Sequence, residues 1–267
     1  MFEVSSAIHI FYASPANVNS LCNSRASQRD SPHAFSLVEL LVVIAVMALL
    51  MGLVAPAFLG IKGASDLGSA TSEISGLLEQ SRAYAMAQNT YVYVGIQEVD
   101  ANVASGNSPQ VAGTGRVVVA VVASKEGTRI FNASTNSFDS NKLVPISKLR
   151  KFENLHLGTP SDSGNMARPS VPASNQVSDS SAYDLNSAAF AWPLEGTAIY
   201  KFFKIIEFDP QGTPRPLKSG GEGIVDRLEL GLLQSKGNIV VNSAQNPAQQ
   251  SAIQLDGVTG ATRIYRP

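Results

Sequence analysis

From Phe35 to Ala55 the chain runs for 21 residues with one charge, Glu39. At about 1.5 Å of rise per residue this is roughly 30 Å of helix, the thickness of a bilayer core. The expectation is a membrane-spanning helix over 35–55. Glu39 is the informative departure from it. A carboxylate inside a span costs at least about 2.5 kcal/mol, so it needs a partner or a functional reason. The run itself contains no basic residue to pair with it. Ala45, Ala48, Gly52 and Ala55 recur at spacings of three and four. Such a stripe lets another membrane helix approach closely; the plainer reading is an anchor with incidental small residues.

Residues 1–34 read as a leader, rich in Ser and Asn and interrupted by Pro15 and Pro32. Arg25, Arg29 and His33 stand against Asp30 just before the run, which by the positive-inside bias puts the N-terminus in the cytoplasm. A secretory signal peptide is the competing reading. Against it, the apolar run is too long for an h-region and no A-x-A site follows promptly.

The tract Phe35-Ser36-Leu37-Val38-Glu39-Leu40-Leu41 resembles the signature cut by prepilin peptidase in type IV pilins and type II secretion pseudopilins. The resemblance implies cleavage between Ala34 and Phe35 and methylation of the new Phe35 amine. It also implies that Glu39 pairs with such an amine on a neighbouring subunit during assembly. The family tends to carry a proline one span-length later, where Pro56 stands. Ala34 departs from the glycine usual before the cut but keeps a small residue. The single cysteine, Cys22, precedes the cut, so the mature chain would hold neither disulfide nor thiolate nucleophile.

Beyond the span about 210 residues remain, enough for one sizeable core. Pro56 should kink or loosen the helix, and Gly60, Gly63, Gly68 and Gly76 each weaken it by about 1 kcal/mol relative to Ala. The span exit is therefore expected to be partly unwound. A helical continuation over 56–89 follows, with Ile74, Leu77, Leu78, Tyr84 and Ala85 on one face. Lys62 with Asp66, and Glu79 with Arg82, are spaced to support the exposed face. Asn89 is a suitable terminator because Asn tolerates the left-handed cap. The tract 77–94, an Ala- and Arg-bearing helix running through Asn89 into a strand, resembles the GspH/FimT-type pseudopilins.

From residue 90 to 267 the pattern is β. Thr90–Val94 alternates β-branched and aromatic residues, and Arg116–Ala123 is a continuous apolar run, hence a buried strand, after a loop over 101–115. Residues 143–157 hold one or two short strands, and 158–187 read as a long loop poor in core formers. Ala198–Phe208 reads as one strand ending at the turn Asp209-Pro210-Gln211-Gly212. Phe208-Asp209-Pro210-Gln211-Gly212 is similar to an F-x-P-x-G turn of GspH/FimT-type proteins. Arg227–Leu232 alternates like an edge strand, and 252–255 with 262–265 reads as a closing hairpin, also usual in that family. The fold class is α+β: a long N-terminal helix, then an antiparallel sheet or sandwich, which is what the pilin resemblance implies.

Little in the sequence points to catalysis. His156, the one histidine after Phe35, is flanked by Leu155 and Leu157 and is expected on a solvated strand face. There is no His/Cys cluster for zinc. Asp179 and Asp184 have loop oxygens nearby but no calcium-motif spacing. Gly220-Gly221-Glu222-Gly223 lacks the strand, helix and Lys of a phosphate cradle, and Asn132-Ala133-Ser134 matches a glycosylation sequon. A charged fraction of 15% with net charge -1 speaks against general nucleic-acid binding. Arg263 and Arg266 form a small basic C-terminal tip, the position through which FimT-type minor pilins hold DNA.

The resemblance therefore implies a structural subunit, not an enzyme, with no cofactor. It would be a minor pilin or pseudopilin of a type IV pilus-like or type II secretion filament. Its partners would be prepilin peptidase, other pilin subunits through the N-terminal helix, the inner membrane and a secreted cargo. It would sit as a single-pass inner-membrane protein, N-terminus inside and β domain in the periplasm, before joining an extracytoplasmic filament. The alanine before the phenylalanine also resembles the prepilin-like Verru_Chthon cassette proteins. Two alternatives are a membrane-anchored extracytoplasmic binding or enzymatic domain and a DNA-binding minor pilin.

Overall fold

The structure is a computed structural model that describes residues 36–132, 134–135, 137–161, 166–178, 185, 190–218 and 224–267. Helix α1 (Leu37–Gln88) opens it. Eight strands follow in the first half of the β region: β1 (Val92–Asp100), β2 (Gly115–Ser124), β3 (Phe131–Asn132), β4 (Ser137–Phe138), β5 (Leu143–Pro145), β6 (Arg150–Glu153), β7 (Leu155–Leu157) and β8 (Gln176–Val177). Eight more complete it: β9 (Phe190–Trp192), β10 (Tyr200–Phe202), β11 (Lys204–Phe208), β12 (Pro214–Leu217), β13 (Arg227–Lys236), β14 (Ile239–Val240), β15 (Gln250–Asp256) and β16 (Thr262–Tyr265). The α+β order expected from the sequence is observed, with the helix first and antiparallel sheets after it. The chain divides into two compact units, Met1–Leu50 and Met51–Pro267.

Two six-stranded sheets carry the second unit. The first has the order β12-β11-β1-β2-β5, with β6 also on β2. The second has the order β14-β13-β15-β16, with β7 and β8 also on β13. Every pairing is antiparallel except β8 with β13. The helix face Leu67, Ala70, Ile74, Leu77, Leu78 and Ala85 packs into a core between the sheets. Val92, Val94 and Ile96 of β1 enter this core, while Tyr93 and Val99 enter a second core on the opposite face of the first sheet. That second core is closed by Phe131, Phe190, Tyr200 and Phe202. A sheet covered on both faces needs apolar residues at both parities. This is why β2 is buried along its whole length.

The helix terminator behaves as the sequence implies. Asn89 adopts φ 49°, and the Thr90 N–H donates to the Ala85 carbonyl at 3.0 Å, the longer bond of a Schellman cap. The loosening expected at the span exit is not observed as a break. The backbone is helical through Pro56 and through Gly60, Gly63, Gly68 and Gly76. One proline removes one backbone donor, and the Leu, Met and Ala residues around it are good helix formers.

Four other expectations are corrected. The run 198–208 is two strands in different sheets, because Phe202 and Ile205 both enter the second core. Residues three apart cannot share a face of an unbroken strand. The segment 143–157 holds three short strands, and Asn154 at φ 58° carries the chain from β6 in one sheet to β7 in the other. Strand β13 is central rather than edge-like, with β15 on one side and β7 and β8 on the other. The polar residue that made it look half-exposed, Glu229, is fully buried. Finally, the described parts of 158–187 are not a bare loop. Residues 166–171 strap the outer face of the second sheet, burying Met166 and Val171, while Val177 enters the core between the sheets and Leu185 the second core.

The two glycine turns meet the helix. Gly212 has φ 81° and Gly260 φ 71°, a region open to glycine at little cost. A methyl group at Gly260 would collide with the Gly212 carbonyl and the Arg82 side chain. The Asp209 carboxylate accepts the Gln211 N–H at 3.0 Å and the Thr213 N–H at 2.9 Å. The turn 209–212 is thus built by its own first residue and held against α1 by its last.

Candidate functional site

The described helix begins with Ser36 as its cap. The Ser36 hydroxyl accepts the Glu39 N–H at 3.1 Å, and the Ser36 carbonyl accepts the Leu40 N–H at 3.1 Å. Ser36-Leu37-Val38-Glu39 has the S-x-x-E spacing of a capping box, a signal present in the sequence and passed over in reading it. Glu39 lies in the first turn, where a negative charge is favoured by the helix dipole. It is exposed, and among the described residues it has no ion-pair partner. Around it every described side chain up to Gly52 is exposed, including Leu37 at 79% and Met51 at 71%. An apolar surface of this extent on all sides of a helix marks burial in lipid or against other chains. Ala34 and Phe35 lie outside the described residues. Among the described residues no helix is long and apolar enough to cross a membrane.

The two C-terminal arginines are not brought together. Arg266 donates to the Gly68 carbonyl at 3.0 Å and to the Ser72 hydroxyl at 3.3 Å, and so lies along α1. Arg263 instead lines a hollow with Arg227, Gln254 and Asp256. Arg263 lies within β16, whereas Arg266 follows its last residue.

Strand β16 is pinned to the helix by Glu79. Its carboxylate accepts the Thr262 N–H at 2.9 Å and the Thr262 hydroxyl at 2.6 Å. Burial raises the Glu79 pKa, but the Thr262 bonds and the Arg82 charge outweigh it and hold the carboxyl below its ordinary value of 4.5. A lowered folded-state pKa stabilises the fold above the unfolded value and is lost as pH falls through the folded one. Glu79→Gln should therefore lose no more than about 1 kcal/mol at pH 7, the side chain being 42% exposed and screened by solvent. Urea midpoints of wild type and variant should converge as pH falls below 4.5.

His156 is corrected from the solvated face to the interior, where it is 8% exposed. Its Nδ1 lies 3.0 Å from a Glu98 oxygen. Glu98 also accepts the Gly115 N–H at 2.8 Å and the Leu157 N–H at 3.1 Å. This buried carboxylate ties β1 to β2 and β7. No metal-binding group of three His, Cys, Asp or Glu occurs among the described residues. Asp179, Asp184 and Gly220–Gly223 lie outside the described residues. Asn132 is exposed, and its side-chain oxygen accepts the Ser134 N–H at 2.9 Å.

Comparison with known proteins bears on the N-terminal segment. Residues 30–55 match the family model described as the prokaryotic N-terminal methylation motif. The chain carries a prepilin-type methylation motif. The match spans 26 of 267 residues, and it contains Ala34, Phe35 and Glu39. No curated protein and no solved structure matches the chain. The methylation motif supports a type IV pilin-like protein, handled by prepilin peptidase and assembling with other pilin subunits. Proteins with this motif are structural rather than enzymatic, and the motif implies membrane anchoring ahead of an extracytoplasmic filament.

Proposed function

We propose that the protein is a minor pilin or pseudopilin of a type IV pilus-like or type II secretion filament. Residues 35–55 hold it in the inner membrane, with residues 1–34 in the cytoplasm and the β domain in the periplasm. Prepilin peptidase cuts between Ala34 and Phe35, and the Phe35 amine is methylated. Glu39 then offsets that charge, in its own chain or a neighbour's, where the low dielectric makes such a pair matter. The apolar helix surfaces pack in the filament core, Pro56 closes the span, and the sheets lie outside.

The observation that carries this reading is the methylation-motif match over residues 30–55, centred on a first-turn Glu39 in an otherwise uncharged run. The finer GspH/FimT-like assignment is supported by the Asn89 helix-to-strand junction, the Asp209 turn and the closing β15–β16 hairpin, which meet at the C-terminal part of α1. The strap over the second sheet suits a tip or partner-binding subunit with a secreted cargo better than a densely packed filament body.

The test is the mass of the mature N-terminus in membranes of the native host. A chain beginning at N-methylated Phe35 is the expected result. A chain that keeps its first 34 residues overturns the proposal.

A further inference from the structure

Arg263 points to a site of its own. On the outer face of the second sheet, Arg227 of β13 stands opposite Asp256 of β15, and Gln254 of β15 opposite Arg263 of β16. With Thr259 and Tyr265 these residues line a hollow of about 170 Å³. That is room for several waters or one small ring. Gln254 forms a fixed floor, because its amide donates to the Pro169 carbonyl at 2.8 Å and to Glu229 at 2.7 Å.

The charges in the hollow do not cancel. Two guanidiniums and one carboxylate line it, an excess of one positive charge. The Asp256 carboxylate is occupied by its own turn, accepting the Val258 N–H at 3.1 Å and the Thr259 N–H and hydroxyl at 2.8 and 2.9 Å. Arg227 has a 3.6 Å contact to Asp226, whose side chain is 88% exposed outside the hollow. Arg263 has no hydrogen-bond or ion-pair partner among the described residues. A guanidinium fork is suited to a carboxylate. Tyr265 adds an aromatic wall, on which the apolar face of a ring can lie, with Pro169 and Ala261 apolar beside it and Gln254 and Thr259 polar. One excess charge in a hollow open to solvent on one side suits a monoanion. A nucleic-acid backbone, with a charge at every step, needs a basic stripe instead.

We propose that this hollow binds a hydroxylated carboxylate of single-ring size, the chemistry of a uronic acid sugar residue. Arg263 and Arg227 take the carboxylate, and the polar rim takes the hydroxyls.

The test is calorimetric titration of the full chain, in mild detergent at low salt, with glucuronate, glucose and inorganic phosphate. Glucuronate should bind at least about tenfold more tightly than glucose, which has the ring without the charge, and more tightly than phosphate. Arg263→Gln and Arg227→Gln should each weaken glucuronate about tenfold, the loss of one charge-assisted contact. Arg266→Gln, on the helix side, should leave it unchanged. Equal binding of glucose, phosphate as tight as glucuronate, an equal loss in Arg266→Gln, or no glucuronate binding would each overturn the proposal.

Discussion

Replacing Arg168 with methionine is expected to cost the fold about 3–5 kcal/mol, the penalty for leaving one buried charge without its partner. Glu229 lies on the central strand β13 with its side chain fully buried, and Arg168 is 6% exposed above it. The guanidinium donates to both Glu229 oxygens, at 3.1 and 2.9 Å, and to the Pro160 carbonyl at 2.9 Å. Without it the carboxylate keeps, among the described residues, only the Gln254 amide at 2.7 Å. A loss of that size is a large share of the 5–15 kcal/mol by which domains are stable. The double variant Arg168→Met, Glu229→Leu should recover most of it, since a buried ion pair exchanged whole for apolar groups is often neutral. Urea unfolding of the full chain in mild detergent checks both. A loss below about 1 kcal/mol in the single variant would mean that water reaches Glu229 and that the strap is not what covers it.

That pair also shows why part of the fold was hidden in the sequence. The alternation Arg227-Leu228-Glu229-Leu230 has the period of a half-exposed strand. Glu229 is polar because Arg168, 61 positions earlier, reaches it, and no local pattern reports a partner so distant. His156 misled for the same reason, its partner Glu98 being 58 positions away. Signals that act within a few residues were legible: the Asn89 cap, the turn that Asp209 makes with its own backbone, the closing hairpin, and the two-sided burial of 116–123. The separation of Arg263 from Arg266 was not legible, because Arg263 lies on β16 while Arg266, just past its end, turns back to the Gly68 carbonyl 198 positions earlier. At the N-terminus the motif around Phe35 was plain, whereas the Ser36 cap needed the S-x-x-E spacing to be read as a helix start as well as a processing signature.

On the proposed function Glu39 has two roles, in capping and in assembly, and this sets the second large effect. Glu39→Ala and Glu39→Gln should each leave cleavage and Phe35 methylation intact and abolish filament assembly, scored as the sheared polymer fraction from the native host. As a helix-start residue Glu39 contributes only about 0.3–1 kcal/mol through the dipole, and glutamine fills the same capping position. As the counter-charge to a methylated amine in lipid it has no neutral substitute, because an unpaired charge in a span costs at least about 2.5 kcal/mol. The two variants therefore separate the roles. Polymer lost in both identifies the carboxylate charge as the requirement. Polymer kept with glutamine and lost with alanine would reduce Glu39 to a cap for α1. Polymer kept in both would leave the helix as an anchor and remove the filament from the function of this chain.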